Sequence, residues 1–530
     1  MTLEHLVSTV VADAQRMDWD AKRTTLIASA LLFVSLYLAI TRFRTWRRLS
    51  AFPGPLFASI SYLPMLRIRR SGRSHLEYFT LSKKYGPLVR IGPNDLLASN
   101  PDHLRRMSAA RSTYERSSWY SATRLDPYHD MMGSVMDKPA HMSIRSKLAA
   151  GYTGKDNPGL EADIESQVQS LVDLIRREYL SEGHVKPVDF GRLADFYAHD
   201  SKSVLAFGKP LGLLKKNDDV RGIIAIVKVA LEWIQVFTDI PPLQKIFLSD
   251  TVLKLFGPKP TDSWGVGYLM GMARESVASR FQPDAKDHQD LLVSFSLIPI
   301  KWTILTINQG SFLRHGLDRR SAESEAMFPI IAGSDTTANA INMTVSHVAA
   351  NPDVAIKIRG ELEAAISEGK ISSPVTNAEA IKLPYLQAVI WEGLRVHPPF
   401  GGLIMKQVGA EGDMFDGKFL PAGTRIGHST WAVTHETSVF GADADLFRPE
   451  RWLEADEKTR ATMRKQTELV FGSGRWGCPG KTVAFIELNK VMVELFRNFD
   501  FHLIHKPTSK KEENSFLSGS LPMSVTNRTS

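Results

Sequence analysis

A single cysteine, Cys478, stands in the 530-residue chain. It lies in Phe471-Gly472-Ser473-Gly474-Arg475-Trp476-Gly477-Cys478-Pro479-Gly480, where four glycines and a proline hold the backbone in a tight turn. A helix is expected from Lys481 onward, so a thiolate here sits near a helix N-terminus, which favours negative charge. Backbone N–H groups of such a turn can point at the sulfur, and Arg475 offers a cation to an anionic group of a cofactor. These are the needs of a thiolate metal ligand with one soft donor, and haem iron takes one such axial ligand from a protein. A free cysteine in a glycine-rich surface loop accounts for the same residues structurally, so the rest of the chain has to decide.

Three other groupings carry chemistry. Asp335 and Thr336 put an acid beside an alcohol in Ala332-Gly333-Ser334-Asp335-Thr336-Thr337, within an apolar helix expected over 321–349. Such a pair can relay protons to bound oxygen. The hydroxyls can also bond to the preceding turn and open the helix there. Glu392 and Arg395 share a helix face at i and i+3, as His141 and Arg145 do at i and i+4. A solvated ion pair, a kinked helix and a polar helix face are the plain structural readings of these three.

The elements that must position these residues read as mainly helical. Apolar residues recur at helical spacing over 161–179, 354–366 and 484–499. Strand signals are few: Leu88–Ile91 and Leu96–Ala98 flank Gly92-Pro93 as a hairpin, and 424–426 follows Pro421-Ala422-Gly423. No repeat or flexible linker divides residues 56–530. Upstream, Thr24 to Ile40 carries no charge and is followed by Arg42, Arg44, Arg47 and Arg48. Seventeen residues of helix span about 26 Å, enough for a thin bilayer, and the basic flank places the body in the cytosol. A cleaved signal peptide is the competing reading. Phe52-Pro53-Gly54-Pro55 then reads as a stiff hinge. The expected organisation is a luminal N-terminus (1–23), an anchor (24–40), a basic, proline-rich hinge (41–55) and a catalytic domain (56–530). One cysteine excludes an intramolecular disulfide and any multi-cysteine zinc or iron–sulfur site. The net charge of +8 is too diffuse to argue for nucleic acid, and none is expected as a partner.

The cysteine segment resembles the haem-binding signature of the cytochrome P450 family, Phe-x-x-Gly-x-Arg-x-Cys-x-Gly, with Phe471, Gly474, Arg475, Cys478 and Gly480 as its five fixed residues. Further segments resemble the same family in chain order. Glu392-x-x-Arg395 is similar to its Glu-x-x-Arg motif. Pro449-Glu450-Arg451-Trp452 is similar to Pro-Glu-Arg-Phe, with Trp452 for the usual Phe. The Ala332–Thr337 run is similar to the oxygen-activation motif, and His141/Arg145 to the propionate-binding pair. One departure stands out: Met405-Lys406 occupies the place of an arginine that holds a propionate, and lysine is a point charge rather than a bidentate fork.

The resemblance implies a P450 fold, a single haem domain, mainly α with small peripheral sheets, behind a transmembrane helix. It implies haem b with Cys478 as axial ligand. Ala332, Gly333, Phe471, Gly480, His141, Arg145, Arg475 and Lys406 would hold the haem. Thr336 and Asp335 would be catalytic, and Glu392, Arg395 and Arg451 a structural triad. It implies a monooxygenase on the endoplasmic reticulum, of the pisatin-demethylase-like and secondary-metabolite kind, fed NADPH electrons by a flavoprotein reductase. Arg464, Lys465 and Lys481 are candidate reductase contacts. The substrate would be a hydrophobic small molecule. Its pocket would be lined by residues 119–136, Trp233 to Phe237, the helix before Ala332, Phe400 to Ile404 and the turn near Phe516-Leu517. A reductase-independent haem isomerase or dehydratase, a non-catalytic haem protein and a thiol hydrolase using Cys478 are the competing classes. The intact Asp335-Thr336 pair speaks against the first two.

Overall fold

The computed structural model describes residues 3–181, 183–279, 316–504 and 522–528; the turn near Phe516-Leu517 lies outside them. The elements used below are α1 (Leu3–Arg48), α2 (Leu63–Arg70), β1 (Leu88–Gly92), β2 (Asp95–Ala98), β3 (Glu115–Arg116), α3 (Lys138–Tyr152), α4 (Leu160–Leu174), β4 (Val188–Asp189), α5 (Phe190–Phe207) and α6 (Ile223–Asp239). Then follow α7 (Arg319–Phe328), a π-helical turn (Pro329–Gly333), α8 (Ser334–Ala350), α9 (Pro352–Ser367), α10 (Pro384–Val396), β5 (Lys406–Gln407), β6 (Asp413–Phe415), β7 (Lys418–Leu420), β8 (Arg425–His428), α11 (Lys481–Asn498), β9 (Phe499–Leu503) and β10 (Pro522–Asn527).

The core is helical. α5 is buried along its whole length and packs on α8 and α4, while α8 also contacts α10 and α11. The largest apolar cluster joins Phe190, Phe196 and Tyr197 of α5 to Ile341 and Val345 of α8 and Val491 and Met492 of α11. Caps fix the starts of the key helices. Asp137 accepts from the Ala140 N–H (2.8 Å) at α3, and Asp318 from the Ser321 N–H (2.9 Å) at α7. Gly208, at φ 73°, ends α5 in the left-handed region that an L side chain resists.

The sheets are peripheral, as the few strand signals implied. The main sheet has the order β1-β2-β8-β5-β3. The β1–β2 hairpin falls where the sequence placed it, and β8 runs parallel to β2. β3 pairs antiparallel with β5, setting Arg116 opposite Lys406. β4, β10 and β9 form a second sheet, and β6 with β7 a hairpin.

The segment expected as a hinge differs. α1 continues through Thr41 to Arg48, and only the following residues leave the helix. Buried Arg90 of β1 explains the anchoring: it donates to the carbonyls of Thr45 and Trp46, both at 2.9 Å. The Arg90 N–H bonds the Pro53 carbonyl (2.7 Å), and a Cβ on Gly54 would meet the Arg90 carbonyl oxygen at 2.1 Å. The proline segment is therefore a packed edge of the body. Within α1, residues 22–48 form one helix long and apolar enough to cross a membrane.

Candidate active site

Cys478 opens into a cavity of about 400 Å³ walled by α3, α5, α6, the π turn, α8, the segment 119–133, residues 399–406 and the cysteine loop. The loop closes on itself through the Cys478 N–H and the Phe471 carbonyl (2.6 Å). Gly474, at φ 56°, is required twice over: the conformation is left-handed, and a Cβ would meet the Ser108 carbonyl oxygen at 2.1 Å. The thiol is exposed only in the sense that it faces this cavity. Burial pushes it up, against the downward pull of the Gly480 N–H, Arg145, Lys202 and Lys481. The helix start of α11 thus does not by itself depress the thiol, as the sequence alone had suggested; desolvation outweighs it.

Around this thiol lies a basic rim, with no acid among the described lining residues. Arg116, Arg145, Lys406 and His141 all line the cavity. Arg116 donates to the Met132 and Gly133 carbonyls, both at 2.6 Å, and Arg145 to the Gly477 carbonyl at 2.7 Å. Lys406 donates to the Tyr120 hydroxyl. Among the described residues none of the three is ion-paired with a carboxylate. Burial, with Arg116 and Arg475 nearby, holds Lys406 well below its usual range. Burial and the cations Arg116, Arg145, Lys406 and Arg475 hold His141 down at about 3, so it is a neutral imidazole at pH 7. Among the described residues its Nδ1 has no partner, nor have Arg116 Nε and Trp476 Nε1, although all three are buried. Unpaired donors and cations beside a soft thiol fit a flat metal cofactor bearing carboxylate groups.

The signature needs one correction. Counted from Phe471, its arginine falls on Trp476, and Arg475 stands one place earlier. The Arg475 guanidinium lies over the Trp476 ring at 4.4 Å, but the two neighbours have different roles. Arg475 turns behind the wall and donates to the Ala110, Ser112 and Tyr114 carbonyls (3.1, 2.7 and 3.0 Å). Trp476 faces the cavity with its unpartnered indole N–H. Arg475 is thus a clamp on the chain before β3, and Trp476 is the residue in position to offer a donor. Arg116 escaped the sequence reading as well; only the β3–β5 pairing brings it beside Lys406.

The oxygen-side helix is opened by the π turn Pro329–Gly333. Thr336 lines the cavity and donates to the Ala332 carbonyl at 3.0 Å. Asp335 lies next to it, buried, with Oδ2 unpartnered among the described residues. Burial, then Asp195, pushes its carboxyl up to about 8, with Lys228 opposing. Ala332, Gly333, Phe471 and Gly480 all line the cavity.

Behind the cysteine loop, Glu392 is wholly buried and fully subscribed. It accepts from Arg395 Nε and Nη2 (2.8 and 2.7 Å), Arg451 Nε (2.9 Å) and the Arg448 N–H (2.9 Å). Trp452, in place of the usual Phe, adds its indole N–H at 2.9 Å. Arg395 also donates to the Thr434 and Ala444 carbonyls (3.1 and 2.6 Å).

Of the expected pocket segments, Trp119, Tyr120, Thr123, Met132, Phe328, Phe400 and Ile404 line the cavity. Trp233 and Phe237 do not: Trp233 is 59% exposed and stacks on Phe237, which stacks on Phe247. α6 is apolar on both sides, and its inward face is Leu231, Ile234, Gln235 and Thr238. The walls also carry the cations Arg116, Lys202 and Lys406, so the pocket joins apolar segments to fixed charge.

The family model described as Cytochrome P450 matches residues 53–527. The chain belongs to the cytochrome P450 family. The chain is similar to cytochrome P450 monooxygenase ABA1 of Pyricularia oryzae, 44% identical over 520 residues, covering 96% of this chain and 98% of the relative. It is also similar to cytochrome P450 monooxygenase aba1 of Botryotinia fuckeliana, 40% identical over 481 residues (89% and 91% covered). A third relative is cytochrome P450 monooxygenase abl1 of Leptosphaeria maculans, 36% identical over 496 residues (92% and 84% covered). This P450 is accordingly a monooxygenase of a haem-iron family.

Proposed function

We propose that this P450 inserts one atom of dioxygen into a lipophilic small molecule, and that Cys478 is the residue that would ligate haem iron. The observation that carries the reading is the conjunction of a single thiol with a rim of acid-free cations and unpartnered buried donors in one cavity. When bound, haem iron with a thiolate ligand supplies dioxygen activation and O–O cleavage. The chain's own residues hold and protect that chemistry. Arg116, Arg145, Lys406, His141 and the Trp476 indole N–H are the groups that would hold the haem carboxylates. Ala332 and Gly333 keep the helix surface flat, and Phe471 and Gly480 shape the thiol side. Glu392, Arg395 and Arg451 fix the framework behind the loop.

Thr336 Oγ1 presents a hydroxyl at the opened π turn. Asp335, protonated at pH 7, holds a proton one residue away and faces Asp195 and Lys228 on its far side. The pair can therefore pass a proton from the α5–α6 side toward the cavity.

Electrons would come from an NADPH-dependent flavoprotein reductase. Arg464 and Lys465 are exposed, and Lys481 pairs with Glu468 at 2.9 Å, so the first two are the better contacts. Residues 24–40 would anchor the enzyme in the endoplasmic reticulum membrane, with 1–23 luminal and the haem domain cytosolic. Leu56, Phe57 and Leu63, exposed by 88%, 74% and 69% just beyond α1, support a body resting on the lipid surface. A fungal secondary-metabolite pathway is the setting the relatives favour.

The test is an ¹⁸O₂ incubation of membranes with reductase, NADPH and lipophilic metabolites that perturb the haem spectrum. Incorporation of one labelled atom is expected. Turnover of the same metabolite without NADPH or label would replace this reading by an isomerase.

A further inference from the structure

The C-terminal end of α6 is locked by two guanidinium groups, and the lock leaves one polar atom over. Arg69 of α2 grips the buried Asp239 carboxylate through Nε (3.0 Å) and Nη2 (2.7 Å). Arg425 of β8 donates to the Thr238 and Asp239 carbonyls (3.3 and 3.0 Å), and its Nε pairs with Asp95 at 2.5 Å. Cations on the last carbonyls of a helix are favourable. The remaining Arg69 nitrogen, Nη1, donates to Gln235 Oε1.

Arginine has donors and no acceptor, so the Gln235 amide must turn its oxygen to Arg69. Its Nε2 then has no protein partner among the described residues, and Gln235 lines the cavity. The neighbouring polar side chains of this wall spend their protons elsewhere. Thr238 donates to the Gln235 carbonyl (2.9 Å), and Thr123 to the Tyr120 carbonyl (2.8 Å). Leu231 and Ile234 complete the wall.

We propose that Gln235 Nε2 is a fixed hydrogen-bond donor for the substrate, and that this P450 selects lipophiles carrying a carbonyl-type oxygen over plain hydrocarbons. The proposal rests on the monooxygenase reading above. An amide held by a buried ion pair has already lost its rotamer freedom, so the bond to substrate forms without that cost. A donor left without an acceptor in a largely apolar wall also disfavours a hydrocarbon, which would strip its water and return nothing.

The test titrates haem-loaded full-length enzyme by calorimetry with three probes of equal chain length: dodecane, methyl dodecanoate and dodecanoic acid. The wild type should bind the ester roughly threefold to tenfold more tightly than the alkane, as one neutral hydrogen bond allows. Gln235→Met should abolish that ratio. Gln235→Glu keeps a partner for Arg69 and turns a carboxylate oxygen to the cavity, so it should weaken the acid most while leaving the alkane little changed. The acid and ester arms separate a charged acceptor from a neutral one; an ester excess over the alkane that is lost in Gln235→Met supports the donor, whereas an acid excess that survives it belongs to the cationic wall. An ester-to-alkane ratio unchanged in both variants overturns the proposal, as does failure of all three probes to bind haem-loaded protein. Protein that folds but takes up no haem would instead overturn the monooxygenase reading.

Discussion

Replacing Glu392 by Gln is the sharpest perturbation of the framework. The side chain keeps its size, but five N–H donors, three of them from two guanidinium groups, lose their anion. Breaking a buried ion pair from one side costs about 3–5 kcal/mol, since the remaining charge stays desolvated. Glu392→Gln should fall at the upper end, because both Arg395 and Arg451 are left. Trp452→Phe restores the usual family residue and removes one hydrogen bond to a charged acceptor, at about 1.5–3 kcal/mol. The pH dependence has a definite sign. Arg395 and Arg451, with the Arg448 N–H, hold the Glu392 carboxyl below its ordinary 4.5 despite burial. Its stabilisation is therefore complete above the unfolded value and disappears as pH falls through the lower folded value. Urea unfolding of haem-loaded protein, compared at constant m-value, measures the loss. A Glu392→Gln protein within about 1 kcal/mol of wild type at neutral pH would refute the reasoning. A gap that did not narrow below the folded value of Glu392 would do the same.

Three further outcomes follow from the site. Thr336→Ala and Asp335→Asn should keep haem but divert NADPH electrons to peroxide, raising the peroxide released per NADPH consumed by roughly tenfold or more; unchanged coupling contradicts the relay. The Asp335 carboxyl is raised to about 8, so the folded state holds its proton more tightly and stability declines as pH rises from about 4 to 8; Asp335→Asn should flatten that decline in urea midpoints. Lys406→Met should weaken haem retention, read as faster haem transfer to apomyoglobin, and Trp476→Phe should do so to a smaller degree, whereas a variant with wild-type transfer rates would remove that residue from the haem contacts.

Much of the site was readable because its chemistry is local. Cys478, Glu392 with Arg395, and Asp335 with Thr336 each declare themselves within ten residues, and helix periodicity places the last two pairs. What escaped the sequence depended on long-range pairing or on direction. Arg116 enters the cavity only because β3 pairs with β5. Arg475 and Trp476 are neighbours in a tight turn whose side chains stack on each other, yet only Trp476 meets the cavity, and spacing cannot say which one does. Trp233 and Ile234 illustrate the same limit on α6, where both faces are apolar and only one meets the cavity. The hinge misread had another cause: Pro53 and Pro55 do end regular structure, but Arg90, far along the chain, captures the helix end and packs the segment down.

The most direct test of the central claim is the reduced, carbon-monoxide difference spectrum of membranes carrying the wild type beside Cys478→Ser. The wild type should show the far red-shifted Soret band of thiolate-ligated haem, and the variant should lose it. Folded wild-type protein that takes up haem but gives only the unshifted band, or a variant that retains the shifted one, would contradict it.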